Sequence, residues 1–414
     1  MSHSASQLTL REVLRLRPVR TLWLAQIVSV FGDMLVLFAV LSDVSFRLHA
    51  TPLQVSLISV FFMIPFAVIG PFAGVFVDRW NVKRTMIISD LLRALLVLGL
   101  VFSQGFHQLY LLLFLLSTVS TFFVPAQTVA IRTIVPAEGL LATNALMQQA
   151  FQLTRLISPA IATALFEWLG ATPSYYFDSF SFLFSALLIS TLLIPRKAPT
   201  ENAPPATESK LQSLLADLLA GAKFIFTHAT ISFVILAMAA AMFAISCFGP
   251  LIAVYVRDSL NAAPRWFGII NAMVGVGMIL GTLFVNKVAQ SVPKSVLVLL
   301  GLLVMGISVF ALASIGTITM AAVGTFGIGV GVTFVFVSTQ TLIQQETPVE
   351  LAGRVSSSLM AVLSLSQLVG LVVSGSMTQL IGIRLLFFAS AVMLMLFAGV
   401  GYLRLPKTHP ATAN

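Results

Sequence analysis

Twelve apolar segments, each about as long as a membrane-spanning helix, constrain the fold of this chain more than any other feature of its sequence. A helix needs about 20 predominantly apolar residues to cross the hydrocarbon core of a bilayer. We place such segments near residues 21–46, 53–77, 85–104, 108–131, 145–169, 174–194, 230–256, 266–288, 295–315, 318–343, 357–381 and 384–404. The pattern predicts an all-α membrane protein with twelve transmembrane helices.

The composition agrees with a lipid environment. Hydrophobic residues make up 58% of the 414 residues and charged residues only 9%, whereas a soluble domain carries roughly 25% charged residues. The formal net charge of +9 is also typical of nucleic-acid-binding proteins. Here the basic residues lie between the apolar segments, where they orient a membrane protein. We therefore expect a lipid bilayer as partner and no nucleic acid.

The distribution of lysine and arginine predicts the orientation. Of the basic residues outside the spans, 17 fall on the side that holds both termini and 4 on the other side. Cytoplasmic loops are enriched in lysine and arginine. The sequence therefore predicts a multi-pass protein of the cell (inner or plasma) membrane with both termini in the cytoplasm.

The chain is predicted to consist of two six-helix halves. Residues 196–210 are rich in proline, alanine and threonine and are typical of a linker. Short sequences also recur about 212 residues apart, such as Ala126-Gln127-Thr128 and Thr339-Gln340-Thr341. We predict an N-terminal bundle (1–195), a cytoplasmic linker with an amphipathic segment (196–229) and a C-terminal bundle (230–414). Repeated halves are typical of secondary transporters, whose substrate site lies between them near the midplane.

A motif follows the second span and runs from Gly70 to Arg84. Glycines four residues apart, at Gly70 and Gly74, favour the close approach of a neighbouring helix. A cytoplasmic loop then carries a set of charges that we interpret as a conformational switch: Asp78, Arg79, Lys83 and Arg84. The alternative interpretation is a basic loop that only reflects the orientation rule. The second-half counterpart keeps its glycines, Gly277 and Gly281, but lacks the acid.

This motif resembles the one that follows the second span in the major facilitator superfamily, which has a glycine, three residues, Asp-Arg and a basic cluster. Further segments resemble its drug-efflux branch, which contains macrolide exporters and the enterobactin exporter. These segments are Ser29-Val30-Phe31-Gly32-Asp33, Ser89-Asp90-Leu91-Leu92-Arg93, Phe122-Phe123-Val124-Pro125-Ala126, Phe177-Asp178-Ser179, and Pro348 with Gly353-Arg354-Val355.

The resemblance implies proton-driven export, by antiport, of amphipathic small molecules. One segment departs from the pattern. The antiporter motif of the fifth span is usually Gly-Pro followed by paired glycines or small residues, but here it reads Ser158-Pro159-Ala160-Ile161-Ala162-Thr163-Ala164. The small residues permit close packing, and the loss of glycine leaves antiport open.

Asp33 is the leading candidate for a functional charge within a span. It lies about twelve residues into the first span, roughly 18 Å deep at 1.5 Å per residue, which places it near the midplane. Gln26 and Ser29 share its helical face. Ionisable groups at such depths are costly and often functional. Asp33 is thus either a proton-coupling or cation-recognising carboxylate, or a structural acid held by hydrogen bonds.

Arg155 in the fifth span is predicted to lie at a similar depth, with Gln152 on the same face. It could contact an anionic substrate, pair with Asp33, or be structural. We expect a direct pair in which proton binding to Asp33 competes with the Arg155 contact.

The remaining acidic residues in or beside the first-half spans are interpreted as mainly structural. Asp90 and Arg93 are three residues apart near the cytoplasmic end of the third span, where they form a local charge pair or reach the Asp78 loop. Asp178, near the outer end of the sixth span, is expected to hold helix ends or a hydroxyl such as that of Tyr175. Asp43 and Glu167 are expected at solvated outer rims.

The second half carries no charge in the interior of its spans, and its candidates for the substrate cavity include Gln340 and Gln367. The only cysteine, Cys247, excludes a disulfide framework and a cysteine metal site. We find no Walker lysine motif, no His-Glu-x-x-His sequence and no convergent catalytic set. No cofactor, metal or enzymatic activity is therefore expected.

These observations predict a secondary transporter, monomeric in the membrane, that exports a drug- or siderophore-like amphiphile against protons by alternating access. Two alternatives with the same fold stay open. One is a lipid or lysolipid translocator, and the other is a small-molecule importer.

Overall fold

The computed structural model describes residues 8–77, 80–195, 223–348 and 351–404, and within these ranges the chain is helical with short connections. The helices are α1 (Leu10–Arg15), α2 (Arg17–Ser42), α3 (Pro52–Val68), α4 (Gly70–Val77), α5 (Val82–Val101), α6 (Phe106–Ile134), α7 (Leu140–Leu169), α8 (Thr172–Ser190), α9 (Ala229–Phe248), α10 (Leu251–Val254), α11 (Pro264–Val288), α12 (Lys294–Ser314), α13 (Ile318–Glu346), α14 (Ala352–Ile381) and α15 (Ile383–Arg404).

The predicted all-α fold with twelve spans is confirmed. Eight helical stretches in the described residues are long and apolar enough to cross a membrane by length and composition alone. The remaining spans are α5, α7 and α8, which are more polar, and the pair α3–α4, which is interrupted near Ile69. A helix satisfies its own backbone hydrogen bonds, which is why helices suit a solvent that offers none.

The predicted repeat is visible in the register of the helices. Five pairs of helices begin 212 residues apart: Arg17 with Ala229, Pro52 with Pro264, Val82 with Lys294, Phe106 with Ile318, and Leu140 with Ala352. Both members of the fourth pair have 29 residues, and both members of the fifth have 30. The repeat is therefore one of whole helices and not only of short motifs.

The repeat extends to a π-helical turn after α2 and after α10. Asp43–Arg47 and Tyr255–Ser259 both adopt this conformation. Each turn is followed by a residue with φ of 48°, His49 in the first half and Asn261 in the second. Arg257, a residue of the second turn, contacts the region of the first: its Nη1 atom donates to the carbonyl oxygens of Ser45 at 2.5 Å and Ala50 at 3.1 Å.

The described residues form two compact units. The first contains α1 to α8, α10 and the start of α11 up to Ala272. The second contains α9, the rest of α11 from Met273, and α12 to α15. The predicted linker over residues 196–229 lies mostly outside the described residues, and the bundle boundaries at 195 and 230 stay predictions.

Glycine packing differs from the expectation at the first motif. Among the described residues, nothing lies within 4 Å of the position that a Cβ on Gly74 would occupy, and a Cβ on Gly70 would make only an ordinary contact, 3.8 Å from Thr121 Cγ2. The described residues therefore do not show the predicted close helix approach at either glycine. Gly277, predicted as the second-half counterpart, lies outside the 212-residue register of Gly70 and Gly74 but does make a close helix contact. A Cβ on Gly277 would collide with the Phe326 carbonyl oxygen of α13. Gly329 of α13 meets the Val274 carbonyl of α11 in the same way. Small residues thus bring α11 and α13 into backbone contact.

We expect Gly277→Ala to destabilise the second unit by about 1–3 kcal/mol, because the added methyl group overpacks a helix contact with no free space. Cys247 is a built-in reporter, since it is fully buried, lies in the same unit and is the only cysteine. The reaction of this thiol with a fluorogenic maleimide reports thermal unfolding in detergent. Unfolding should occur at a lower temperature in the variant than in the parent protein.

The matched control for this measurement is Gly399→Ala in α15, in the same unit, where a Cβ would meet nothing within 4 Å. Alanine has a higher helix propensity than glycine by about 1 kcal/mol, so the control should unfold at the parental temperature or slightly above it. Equal unfolding temperatures for the two variants would contradict the packing role of Gly277.

Candidate functional site

The candidate site is a group of charged side chains inside the first unit, on three neighbouring helices. Helices α2 and α5 both pack against α8. Asp33 comes from α2, Asp90 and Arg93 from α5, and Asp178 from α8. Asp90, Arg93 and Asp178 are buried, and the side chain of Asp33 is 27% exposed. We call these four residues the charge cluster.

Arg93 is the cation of the charge cluster. Its Nη2 atom donates to Asp90 Oδ1 within α5, as the three-residue spacing predicts, and Nη1 lies 3.9 Å from Asp33 Oδ2. The guanidinium carbon is 4.3 Å from the ring centroids of both Phe123 and Phe182. Two aromatic faces therefore hold the guanidinium in place by cation–π attraction.

Arg93 lies on α5, which begins at Val82, earlier than the start of the third span predicted from the sequence. The predicted position of the Asp90–Arg93 pair near the cytoplasmic end of that span stays a prediction. The Asn81 side chain caps the helix by accepting a hydrogen bond from the Arg84 backbone amide at 3.0 Å.

Asp178 belongs to the charge cluster and does not serve the role predicted for it. The expected contact with Tyr175 is absent among the described residues, and Asp178 Oδ1 instead accepts from the Ser181 hydroxyl at 3.0 Å. The carboxyl group packs against the backbone of Gly32, where a Cβ would collide with Asp178 Oδ1. The glycine before Asp33 thus admits the second acid beside the first.

The sequence of α8 does contain a signal for the burial of Asp178. Four polar residues of α8 follow one another at intervals of four, three and four residues and are all buried: Ser174, Asp178, Ser181 and Ser185. Residues at this spacing share one helical face. A polar stripe through an otherwise apolar span predicts that the face points into the bundle, not toward lipid.

The charge cluster contains three carboxyl groups and one guanidinium. Three of its polar atoms are buried with no hydrogen-bond partner among the described residues: Asp90 Oδ2, Asp178 Oδ2 and Arg93 Nε. Buried charges are normally paired, and an unpaired buried carboxylate usually becomes neutral by binding a proton. This arrangement is therefore suited to binding protons.

The predicted pairing of Asp33 with Arg155 is wrong. The partner of Asp33 is Arg93, whereas the exposed side chain of Arg155 in α7 forms no ion pair or hydrogen bond with the described residues. Counting residues along a span estimates depth but not which way a side chain points. Gln152, on the same face of α7, is likewise exposed.

The remaining cavity candidates are separate from the charge cluster. The Gln26 amide oxygen accepts from Gln127 Nε2 at 2.5 Å, which joins α2 to α6. In the second unit, Gln340 on α13 and Gln367 on α14 are partly buried. Their predicted role in a substrate cavity stays a prediction.

The predicted switch loop is described only in part, since Asp78 and Arg79 lie outside the described residues. Lys83 Nζ donates to the Ser190 carbonyl oxygen at 2.6 Å and so attaches the start of α5 to the end of α8. Arg84 is exposed. The switch function of Gly74 and these charges stays a prediction.

The acids expected at solvated rims form ion pairs. Asp43 is buried and lies 2.6 Å from Arg47 Nε, so its predicted solvation is wrong. Glu167 lies 3.4 Å from Arg265 Nη1. In the described part of the chain, no three His, Cys, Asp or Glu side chains are placed to hold a metal ion together.

Twelve spans in two repeated halves, with a buried charge cluster in the first, define a multi-span membrane transporter. The family model of the Major Facilitator Superfamily matches residues 22–246 and 234–414. The chain belongs to this superfamily.

Relatives and a solved structure agree with this assignment. The uncharacterized MFS-type transporter YfiS of Bacillus subtilis (strain 168) is 26% identical over 382 residues, which cover 91% of this chain and 90% of YfiS. Macrolide efflux protein A of Streptococcus pyogenes is 24% identical over 399 residues, which cover 91% and 93%. A mutant of the nucleoside transporter NupG superposes with a TM-score of 0.76 at 10% identity, over 94% of this chain and 100% of that one. Drug-efflux transporters are thus among the relatives.

Proposed function

We propose that the protein is a proton-coupled exporter of amphipathic small molecules, working by alternating access. The observation that carries the proposal is Asp33, a partly exposed carboxylate 3.9 Å from a guanidinium inside a membrane bundle. The guanidinium stays charged at all working pH values. A proton and Arg93 therefore compete for the same carboxylate, which is the requirement for coupling proton binding to a rearrangement.

The fixed position of Arg93 supports this interpretation. Phe123 and Phe182 enclose the guanidinium, and Asp90 holds it from its own helix. When Asp33 binds a proton, Arg93 keeps its partner Asp90, so the cost of leaving a buried charge unpaired is avoided. Asp33 is then free to change its contacts while the rest of the charge cluster remains in place.

The substrate class and the direction rest on the relatives and on composition. Macrolide efflux protein A, a relative over almost its whole length, is named for the efflux of macrolides, which are amphipathic drugs. The chain contains 15 methionines and 33 phenylalanines, and methionine side chains adapt to ligands of variable shape. Antiport, a monomeric state and cytoplasmic termini are parts of the same proposal.

The test is a transport assay with purified protein in proteoliposomes, with and without a pH gradient. The panel contains a macrolide, a hydrophobic organic cation, a fluorescent lysolipid and a nucleoside. We expect gradient-dependent movement of the macrolide or the cation, opposite to the direction of proton flow. Movement of only the lysolipid would favour a translocator, and movement of the nucleoside together with protons would favour an importer. Transport that ignores the gradient would contradict proton coupling.

A further inference from the structure

We propose that Asp178 is a second proton-binding site and that its carboxyl group carries a proton in the conformation described here. Its contribution to coupling rests on the proposed function above, whereas its protonation does not. The side chain is fully enclosed in the first unit, between α8 and α2. Its ligand is a proton, which we assign to Asp178 and not to the other two acids of the charge cluster.

The charged and titratable groups that face Asp178 are Asp33 on α2 and Asp90 and Arg93 on α5. The only cation among them already bonds to Asp90 and lies 3.9 Å from Asp33. Within the described residues, Asp178 has no basic side chain at ion-pair distance. If all three acids were ionised, one guanidinium would face three negative charges in an apolar bundle.

Two of the acids have surroundings that stabilise the ionised carboxylate. Asp90 is bonded directly to Arg93. Asp33 is near the same guanidinium and is 27% exposed, so water and Arg93 can both stabilise its carboxylate. Neither water nor Arg93 can stabilise a carboxylate at Asp178 in this way, because Asp178 is fully buried and Arg93 is occupied by the other two acids. Burying an unpaired ionised carboxylate is much more costly than burying the neutral acid.

The hydrogen bonds of Asp178 also fit the neutral acid. Asp178 Oδ2 has no partner among the described residues. Oδ1 accepts from the Ser181 hydroxyl at 3.0 Å, but the same hydroxyl also approaches the Asp178 backbone carbonyl oxygen at 2.8 Å. One hydroxyl hydrogen shared between two acceptors gives little stabilisation, whereas stable buried carboxylates accept two or three full hydrogen bonds.

Gly32 connects the two proton sites. Because this residue has no Cβ, the Asp178 carboxyl group packs against the chain directly beside Asp33. Asp33 is partly exposed and Asp178 is not. A proton would therefore reach Asp178 through Asp33: the Asp33 carboxyl group releases a proton, the Asp178 carboxylate takes it up, and the new Asp33 carboxylate pairs with Arg93.

Infrared spectroscopy tests the protonation directly, since a protonated carboxyl group has a carbonyl stretch that a carboxylate lacks. The full-length protein is purified in detergent at about pH 7, where unperturbed aspartates are ionised. We expect a protonated-carboxyl band in the parent protein that shifts on labelling with aspartate carrying ¹³C at its side-chain carboxyl. The band should disappear in Asp178→Asn and persist in Asp33→Asn.

Two results would overturn the proposal. The first is the absence of a ¹³Cγ-sensitive protonated-carboxyl band in the parent protein, which needs no variant and so stands even if Asp178→Asn fails to fold. The second is a band that survives in folded Asp178→Asn. The measurement involves no substrate or gradient. A failed transport assay with the band present therefore contradicts only the proposed function, and gradient-driven transport without the band contradicts only the Asp178 site.

Discussion

Replacing Asp33 with asparagine should abolish the accumulation of substrate that a pH gradient drives, while substrate binding persists. A gradient of about one pH unit is worth about 1.4 kcal/mol per proton, or a tenfold concentration ratio. Asparagine has a similar shape but cannot exchange a proton. We therefore expect the accumulation ratio in proteoliposomes to fall from about ten per coupled proton toward one.

The matched control is Glu138→Gln, which makes the same carboxyl-to-amide change at an exposed position in the turn before α7. This variant should accumulate substrate as the parent protein does. Binding is followed separately by substrate-induced protection from thermal unfolding. Full gradient-driven accumulation by Asp33→Asn would make Asp33 a structural polar group and remove it from the coupling mechanism.

Replacing Arg93 with methionine should destabilise the first unit by about 3–5 kcal/mol, the usual cost of removing one partner of a buried ion pair. Asp33, Asp90 and Asp178 would lose the only guanidinium in the charge cluster. Methionine keeps much of the volume between Phe123 and Phe182, so the loss is mainly electrostatic. The measurement is the fraction of monodisperse protein left after heating, read by size-exclusion chromatography.

Two variants isolate the electrostatic cause. Arg132→Met removes an exposed arginine at the end of α6 and should leave the unfolding temperature unchanged. The double variant Arg93→Met with Asp90→Asn removes the buried pair together and should recover part of the stability, because no acid is left bonded to a missing cation. If Arg93→Met unfolds at the same temperature as Arg132→Met, Arg93 does not hold the charge cluster together.

The charge cluster explains why a superfamily member can keep several ionisable groups in one membrane bundle. Each such group is expensive in hydrocarbon. Here the ionisable groups lie together between three helices. Two aromatic rings hold the guanidinium, and a glycine leaves space for a carboxyl group. The spans predicted for the second half carry charged residues only at their ends, at Lys287, Arg384 and Arg404, so coupling, as proposed, is a property of the first half.

The sequence by itself determined the twelve spans, the helical class and the repeat. These follow from local properties, because the bilayer sets the length of each apolar segment and excludes open backbone polar groups. The repeat was visible in short motifs, and the structure shows it as helix starts 212 residues apart. The Asp90–Arg93 pair was also predictable, since residues three apart on a helix are neighbours whatever surrounds them.

Only the tertiary structure decided which charges meet. Depth along a span can be counted, but the rotation of each helix and the identity of its neighbour depend on packing. Asp33 therefore faces Arg93 and not Arg155, and Asp178 faces Gly32 and not Tyr175. The same reason separates Gly74, which has open space beside it, from Gly277, which contacts a backbone carbonyl. Each belongs to a pair of glycines four residues apart, and only the packing of the neighbouring helix shows which pair makes a close contact.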